Sequence, residues 1–209
     1  MFYLRLVTLS YSTLLIAGIL LGTPVYLFLS SDILQRVFNT QGADGFLLSR
    51  LAATWQNWMD LLRAFAGAWL LSRQVFVLDP AWDEGVYVKF AVVGGILAAG
   101  VAVQVVYYSR HIYCLCPVFY LAGVSFGLVD WWIALYGLLA GLFFGAIANS
   151  TEAFFLSMAI TIAIAGYFFH GISPEWVVAC VLLVLPVSIA LSIHESLISV
   201  IRRRPVSVE

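Results

Sequence analysis

Trp176-Val-Val-Ala-Cys180-Val-Leu-Leu-Val-Leu-Pro186-Val-Ser-Ile-Ala-Leu-Ser-Ile-His194-Glu195-Ser-Leu-Ile-Ser-Val-Ile201, followed directly by Arg202-Arg203-Arg204, decides the fold. A run of about 20 mostly apolar residues is what a helix needs to cross the hydrocarbon of a bilayer. Three arginines at its end place the C-terminus in the cytoplasm by the positive-inside rule. The rest of the chain can then be threaded by parity. Composition agrees: of 209 residues, 63% are hydrophobic and only 10% are charged. A soluble domain carries roughly 25% charged residues, so most of this surface must face lipid.

Working back towards the N-terminus, Ser173-Pro174-Glu175 reads as the start of the last span, with Ser as N-cap and Pro at the first helical position. Asn149-Ser150-Thr151-Glu152 reads as another N-cap cluster, opening a span over about Ala153–Phe169. Before it lies the long apolar stretch Ile112–Asn149, broken only by Asp130. It reads as a hairpin of two spans, Cys114–Val129 and Trp131–Ala148, with Asp130 and the Trp131-Trp132 pair at an interfacial tip. A long tilted helix with a re-entrant piece is the other reading of that stretch. Two further spans are expected at about Val86–Tyr108, ending at Arg110-His111, and at Leu6–Leu29. The first begins almost at the initiator Met with no A-x-A-like site after it, which reads as a retained anchor.

The expectation is an all-α, polytopic membrane protein of about six spans, with four to seven as the range. It divides into an anchor (1–31), an extracytoplasmic loop (32–85), a helical bundle (86–201) and a basic tail (202–209). Both termini are then cytoplasmic, in a bacterial inner membrane. Arg110 and Arg202, Arg203 and Arg204 are the topology determinants, and the acidic Asp79–Glu84 segment lies outside.

The loop carries an amphipathic helix, expected over residues 46–74. Leu48, Leu51, Trp55, Trp58, Leu62, Phe65 and Trp69 recur at spacings of three and four, with Arg50, Asn57, Asp60 and Arg63 largely off that stripe. The seam can pack on the protein's own spans, lie among headgroups, or dock a partner helix. A seventh span through Ala64–Leu78 would be short. Gly123-x-x-x-Gly127 and Gly137-x-x-x-Gly141-x-x-x-Gly145 set small residues on one helix face, where backbones approach closely. They serve either packing within the chain or contacts in a homo-oligomer.

Chemistry-bearing motifs are sparse. Cys114-x-Cys116 with His111 gives three ligands where structural zinc needs four. No nucleophile–base pair or phosphate loop is present, so a non-enzymatic protein without cofactor is expected. A net charge of −1 gives no footprint for nucleic acid.

Cys116-Pro-Val-Phe-Tyr-Leu-Ala-Gly-Val-Ser-Phe-Gly-Leu-Val-Asp130 and the helical pair Phe154–Ser199, with its Phe168-Phe169-His170-Gly-Ile-Ser-Pro174-Glu-Trp176 turn, resemble a family of membrane proteins from integrating conjugative elements and related plasmids. The function of that family is unknown. After Asp130 the family has a basic, Gly-containing segment; this chain has apolar Trp131–Gly141 instead. The resemblance implies an accessory inner-membrane scaffold of a conjugative transfer (type IV secretion) system. Its partners would be membrane lipid and other subunits, such as the coupling ATPase or secretion-channel proteins. The seam would be the contact. A small homo-oligomeric channel or transporter is the main rival. A non-catalytic respiratory or photosynthetic subunit is weaker, because His111, His170 and His194 offer no paired arrangement within one helix.

Overall fold

The computed structural model describes residues 11–23, 55–75, 91, 93–101, 106–108, 113–116, 118–192 and 196–199. The elements in chain order are α1 (Tyr11–Gly22), α2 (Trp55–Val75), α3 (93–101), β1 (Val106–Tyr108), β2 (Tyr113–Cys116), α4 (Val118–Leu128), α5 (Trp131–Ala148), α6 (Thr151–His170), α7 (Pro174–Ser192) and β3 (Ser196–Ser199).

Three of these helices, α5, α6 and α7, are long and apolar enough to cross a membrane. Only about a third of each is buried within the protein. Their outward faces carry Leu139, Phe143, Phe144, Ile147, Ile160, Ile164 and Val181, all well exposed. In water such a surface would aggregate; in lipid it is the ordinary solvated face of a membrane helix.

The turns between these helices follow from local chemistry. The Ser150 hydroxyl caps α6 by accepting from the Ala153 amide at 3.2 Å. Asn149 adopts the left-handed conformation (φ 51°) that closes α5, a position tolerated by Asn because its short side chain crowds the following carbonyl least. Gly171 (φ 64°) ends α6, and Pro174 opens α7 where its missing N–H has no partner to lose.

Within the α5–α7 layer, small residues receive large ones. A β-carbon on Gly137 would stand 2.7 Å from Ile162, on Gly141 2.9 Å from the Phe154 ring, and on Gly166 2.6 Å from Trp176. Gly145 is buried on the same α5 face. The antiparallel α5–α6 pair is tied at one end by His170 Nε2 and Asp130 Oδ2, 2.9 Å apart. At the other end Glu152 Oε1 accepts from the Leu197 amide at 2.9 Å, holding β3 beside the start of α6.

The other helices pack around α4, in which nine of eleven residues are buried. A helix apolar on every side belongs in a core. At about 1.5 Å per residue α4 is about 17 Å long, roughly half the hydrocarbon thickness. Cys114–Val129 is therefore not a helical span. The Cys114–Cys116 part is strand, whereas the turn at Val129-Asp130 and the second arm, Trp131–Ala148, follow the expected hairpin.

Two more expectations change. The helix at 93–101 gives way to strand at Val106–Tyr108, inside the segment expected to be helical to Tyr108. The last helix stops at Ser192, where Ser192 Oγ donates back to the Ser188 carbonyl, and Ser196–Ser199 continue as strand rather than helix to Ile201. The strands form one small sheet in the order β1-β2-β3, antiparallel between β1 and β2 and parallel between β2 and β3. Tyr113 pairs with Ser196 and Cys116 with Ser199. These short strands, of three, four and four residues, are the non-helical elements among the described residues of an otherwise α-helical protein. This sheet closes the end of the bundle where α6 starts and α7 ends.

Candidate functional site

Among the described residues, the most polar part of the interior lies where α1, α2 and α4 meet. Along α2 the buried positions are Asp60, Ala64, Gly67, Ala68 and Leu71, one face at helical spacing. Small residues on that face let α2 approach its neighbours closely. A β-carbon on Gly67 would meet the Leu21 side chain at 2.7 Å. On α4, Gly123 faces the Leu61 carbonyl oxygen, 2.3 Å from where a β-carbon would stand, and Gly127 faces Ala68 and the Trp69 amide at 2.6 and 2.7 Å. The two glycine motifs therefore serve different contacts: Gly123 and Gly127 lie against α2, whereas Gly137 and Gly141 lie against α6.

Asp60 and Arg63 sit inside this contact. Arg63 Nη2 donates to Asp60 Oδ1 at 2.9 Å, with side-chain exposures of 12% for Arg63 and 8% for Asp60. Arg63 Nη1 donates to the Leu20 carbonyl at 2.7 Å and to that of Thr23. These carbonyls lie at the C-terminal end of α1, where a helix leaves acceptors without intrahelical partners and carries partial negative charge. The guanidinium lies over the Tyr120 ring, 5.4 Å from its centroid. The Tyr120 hydroxyl donates to the Leu21 carbonyl at 3.0 Å and would stand 2.6 Å from a β-carbon on Gly100. Arg63 Nε is buried without a hydrogen-bond partner. One side chain thus joins the end of α1, the middle of α2 and the first turn of α4.

The sequence offered only part of this cluster. Asp60 and Arg63 are three apart and can pair on any helix, a contact worth a few tenths of a kcal/mol when exposed. Tyr120 and the α1 carbonyls come from distant parts of the chain, and nothing local marks them. The usable signal was two opposite charges set among Ala64, Gly67 and Ala68 on a face otherwise made of small residues.

The aromatic seam points the other way. Trp55, Trp58, Leu62, Phe65 and Trp69 are 64%, 49%, 57%, 38% and 42% exposed, and Met59 joins them at 52%. Among the described residues, the closest own-chain approaches of α2 use the opposite face, through Asp60, Ala64, Gly67 and Ala68. Trp58 makes a ring contact with the bundle, edge-on to Phe119 at 5.1 Å. Arg73 lies over Trp69 at 5.4 Å. Leu48, Leu51, Arg110, Arg202, Arg203 and Arg204, with residues 46–54 of the expected amphipathic helix, lie outside the described residues.

Among the described residues no three His, Cys, Asp or Glu side chains gather as metal ligands. Large lipid-type faces outside, small-residue contacts inside and a buried charge cluster define an α-helical membrane protein. No family model, curated protein or solved structure matches the chain.

Proposed function

We propose that this protein is a non-enzymatic scaffold subunit of a larger membrane complex, and that the exposed face of α2 is its contact with a neighbouring subunit. The observation that carries the reading is the composition and outward direction of that face. The outward faces of α5 to α7 are chiefly Leu, Ile, Phe and Val, with the exposed Trp131 at a helix end. Trp on a lipid-facing surface belongs at the headgroup level. Trp55, Trp58 and Trp69 spread over about 21 Å of α2, with Leu62 and Phe65 between them. A protein partner accommodates Trp all along such a face, and Trp is enriched where binding energy concentrates.

The resemblance to the conjugative-element family suggests the complex: a conjugative transfer system of a bacterial inner membrane, with both termini cytoplasmic. A homo-oligomeric channel built on the glycine faces has less support, because Gly123, Gly127, Gly137 and Gly141 are occupied by this chain's own helices.

The test is affinity purification of the tagged chain from its native host in mild detergent, compared with a Leu62→Glu, Trp69→Glu variant. Both positions are exposed, and the Trp58–Phe119 contact is left intact. The wild type should bring down other membrane subunits, among them a coupling ATPase or secretion-channel protein. The variant should insert normally and lose them. Recovery of nothing but further copies of the same chain would favour the channel instead.

A further inference from the structure

The end of the α5–α6 pair holds a second feature that the scaffold role does not use. Trp132 and Tyr136 of α5, with Thr161, Ile164, Ala165, Phe168 and Phe169 of α6, line an open groove of about 620 Å³. Trp132 and Phe169 meet edge-to-face at 4.6 Å, and Trp132 lies 6.5 Å from the His170 ring. Next to the lining residues Trp132 and Phe169 stands the His170–Asp130 pair, half exposed at 42% and 52%. Asp130 occupies the N-cap position of α5, yet its side chain makes no cap hydrogen bond. The carboxylate is committed to His170 through Oδ2, leaving Oδ1 available to an incoming donor.

We propose that this groove is a binding site for a phospholipid with a primary-ammonium headgroup, namely phosphatidylethanolamine, its acyl chain lying along Thr161–Phe169 and its headgroup on the Asp130–His170 pair. Two features select this occupant. First, the groove lies between two helices of membrane-crossing length, so the medium at its opening is hydrocarbon. From Phe169 to Thr161 is eight residues, about 12 Å of helix, a length that takes most of a half-bilayer chain. Secondly, the Asp130 carboxylate, with Oδ2 on His170 Nε2 2.9 Å away, keeps Oδ1 as an acceptor for a headgroup ammonium. A quaternary ammonium cannot donate to the carboxylate, and an anionic headgroup without an amine would be repelled by it.

Native mass spectrometry of the full chain in mild detergent tests this directly. Phosphatidylethanolamine, phosphatidylcholine and phosphatidylglycerol with identical acyl chains are titrated in turn. Phosphatidylethanolamine should half-saturate at about tenfold lower concentration than the other two, the difference one charge-assisted hydrogen bond makes. Asp130→Asn should remove that preference while leaving phosphatidylcholine binding unchanged. Ala165→Phe, which fills the groove, should weaken all three lipids together. Equal binding of the three lipids by the wild type overturns the headgroup assignment, as does a preference that survives Asp130→Asn. Unaltered binding by Ala165→Phe overturns the groove. None of these results bears on the α2 seam, so the scaffold reading stands or falls separately.

Discussion

Replacing Arg63 with methionine tests the buried cluster. At 2.9 Å, and with an effective dielectric constant of about 20, the attraction between Arg63 and Asp60 is about 6 kcal/mol. Desolvating the two groups offsets most of it, so the intact pair contributes little net stability. Removing one partner is different. Asp60 then keeps a buried carboxylate with no counter-charge, and the Leu20 and Thr23 carbonyls lose their donor. The cost of such an unmatched charge is about 3–5 kcal/mol, a large share of the 5–15 kcal/mol typical of a whole domain. Arg63→Met combined with Asp60→Leu removes both charges at similar volume and should cost much less than Arg63→Met alone. The coupling between the two sites is read from a double-mutant cycle. The assay is reversible unfolding by sodium dodecyl sulfate titrated into mild-detergent micelles, followed by tryptophan fluorescence. A loss under about 1 kcal/mol for Arg63→Met, or a double variant losing the sum of both singles, would refute the assignment of Arg63 as the charge that neutralises Asp60 and joins three helices.

Other expectations follow from single contacts. Gly123→Ala puts a β-carbon 2.3 Å from the Leu61 carbonyl, so α2 and α4 must part by about 1 Å and stability should fall by about 1–3 kcal/mol. Gly95→Ala meets nothing within 4 Å and should raise stability by up to about 1 kcal/mol in the same unfolding assay. Ser150→Ala removes the α6 cap and should cost about 1 kcal/mol. In a background lacking Cys114, Cys116 and Cys180, a cysteine replacing Asp83 should react with an impermeant thiol reagent from outside the cell, and one replacing Arg203 should not; the reverse pattern would overturn the threading.

Local features were legible in the sequence where their physics is local. Ser150 and Pro174 mark helix starts because capping and a missing N–H act over a few residues. Asp130 marks the turn into α5 because a lone charge interrupts a long apolar run. The face of α2 was harder. Bulky residues at spacings of three and four read as the buried stripe of a helix in water. In a membrane the same stripe can face outward while small residues make the contact, and the sequence does not state which solvent α2 meets. Cys114–Val129 has the composition of a span, yet a buried helix has that composition too. Short apolar runs leave strand and helix undistinguished. The pairing of Tyr113–Cys116 with Ser196–Ser199 joins segments separated by four helices, so no window of sequence contains it. Tyr120 belongs to the Arg63 cluster for the same reason: its partners are 57 and 99 residues away.

The most direct test of the outward-facing seam is site-specific photocrosslinking in native membranes. A photoreactive residue is placed at position 62 or 69 on the exposed face of α2, and at 64 or 68 on the buried face. Positions 62 and 69 should form adducts with another polypeptide, and 64 and 68 only with this chain. Intermolecular adducts from 64 or 68, or none but lipid adducts from 62 and 69, would contradict it.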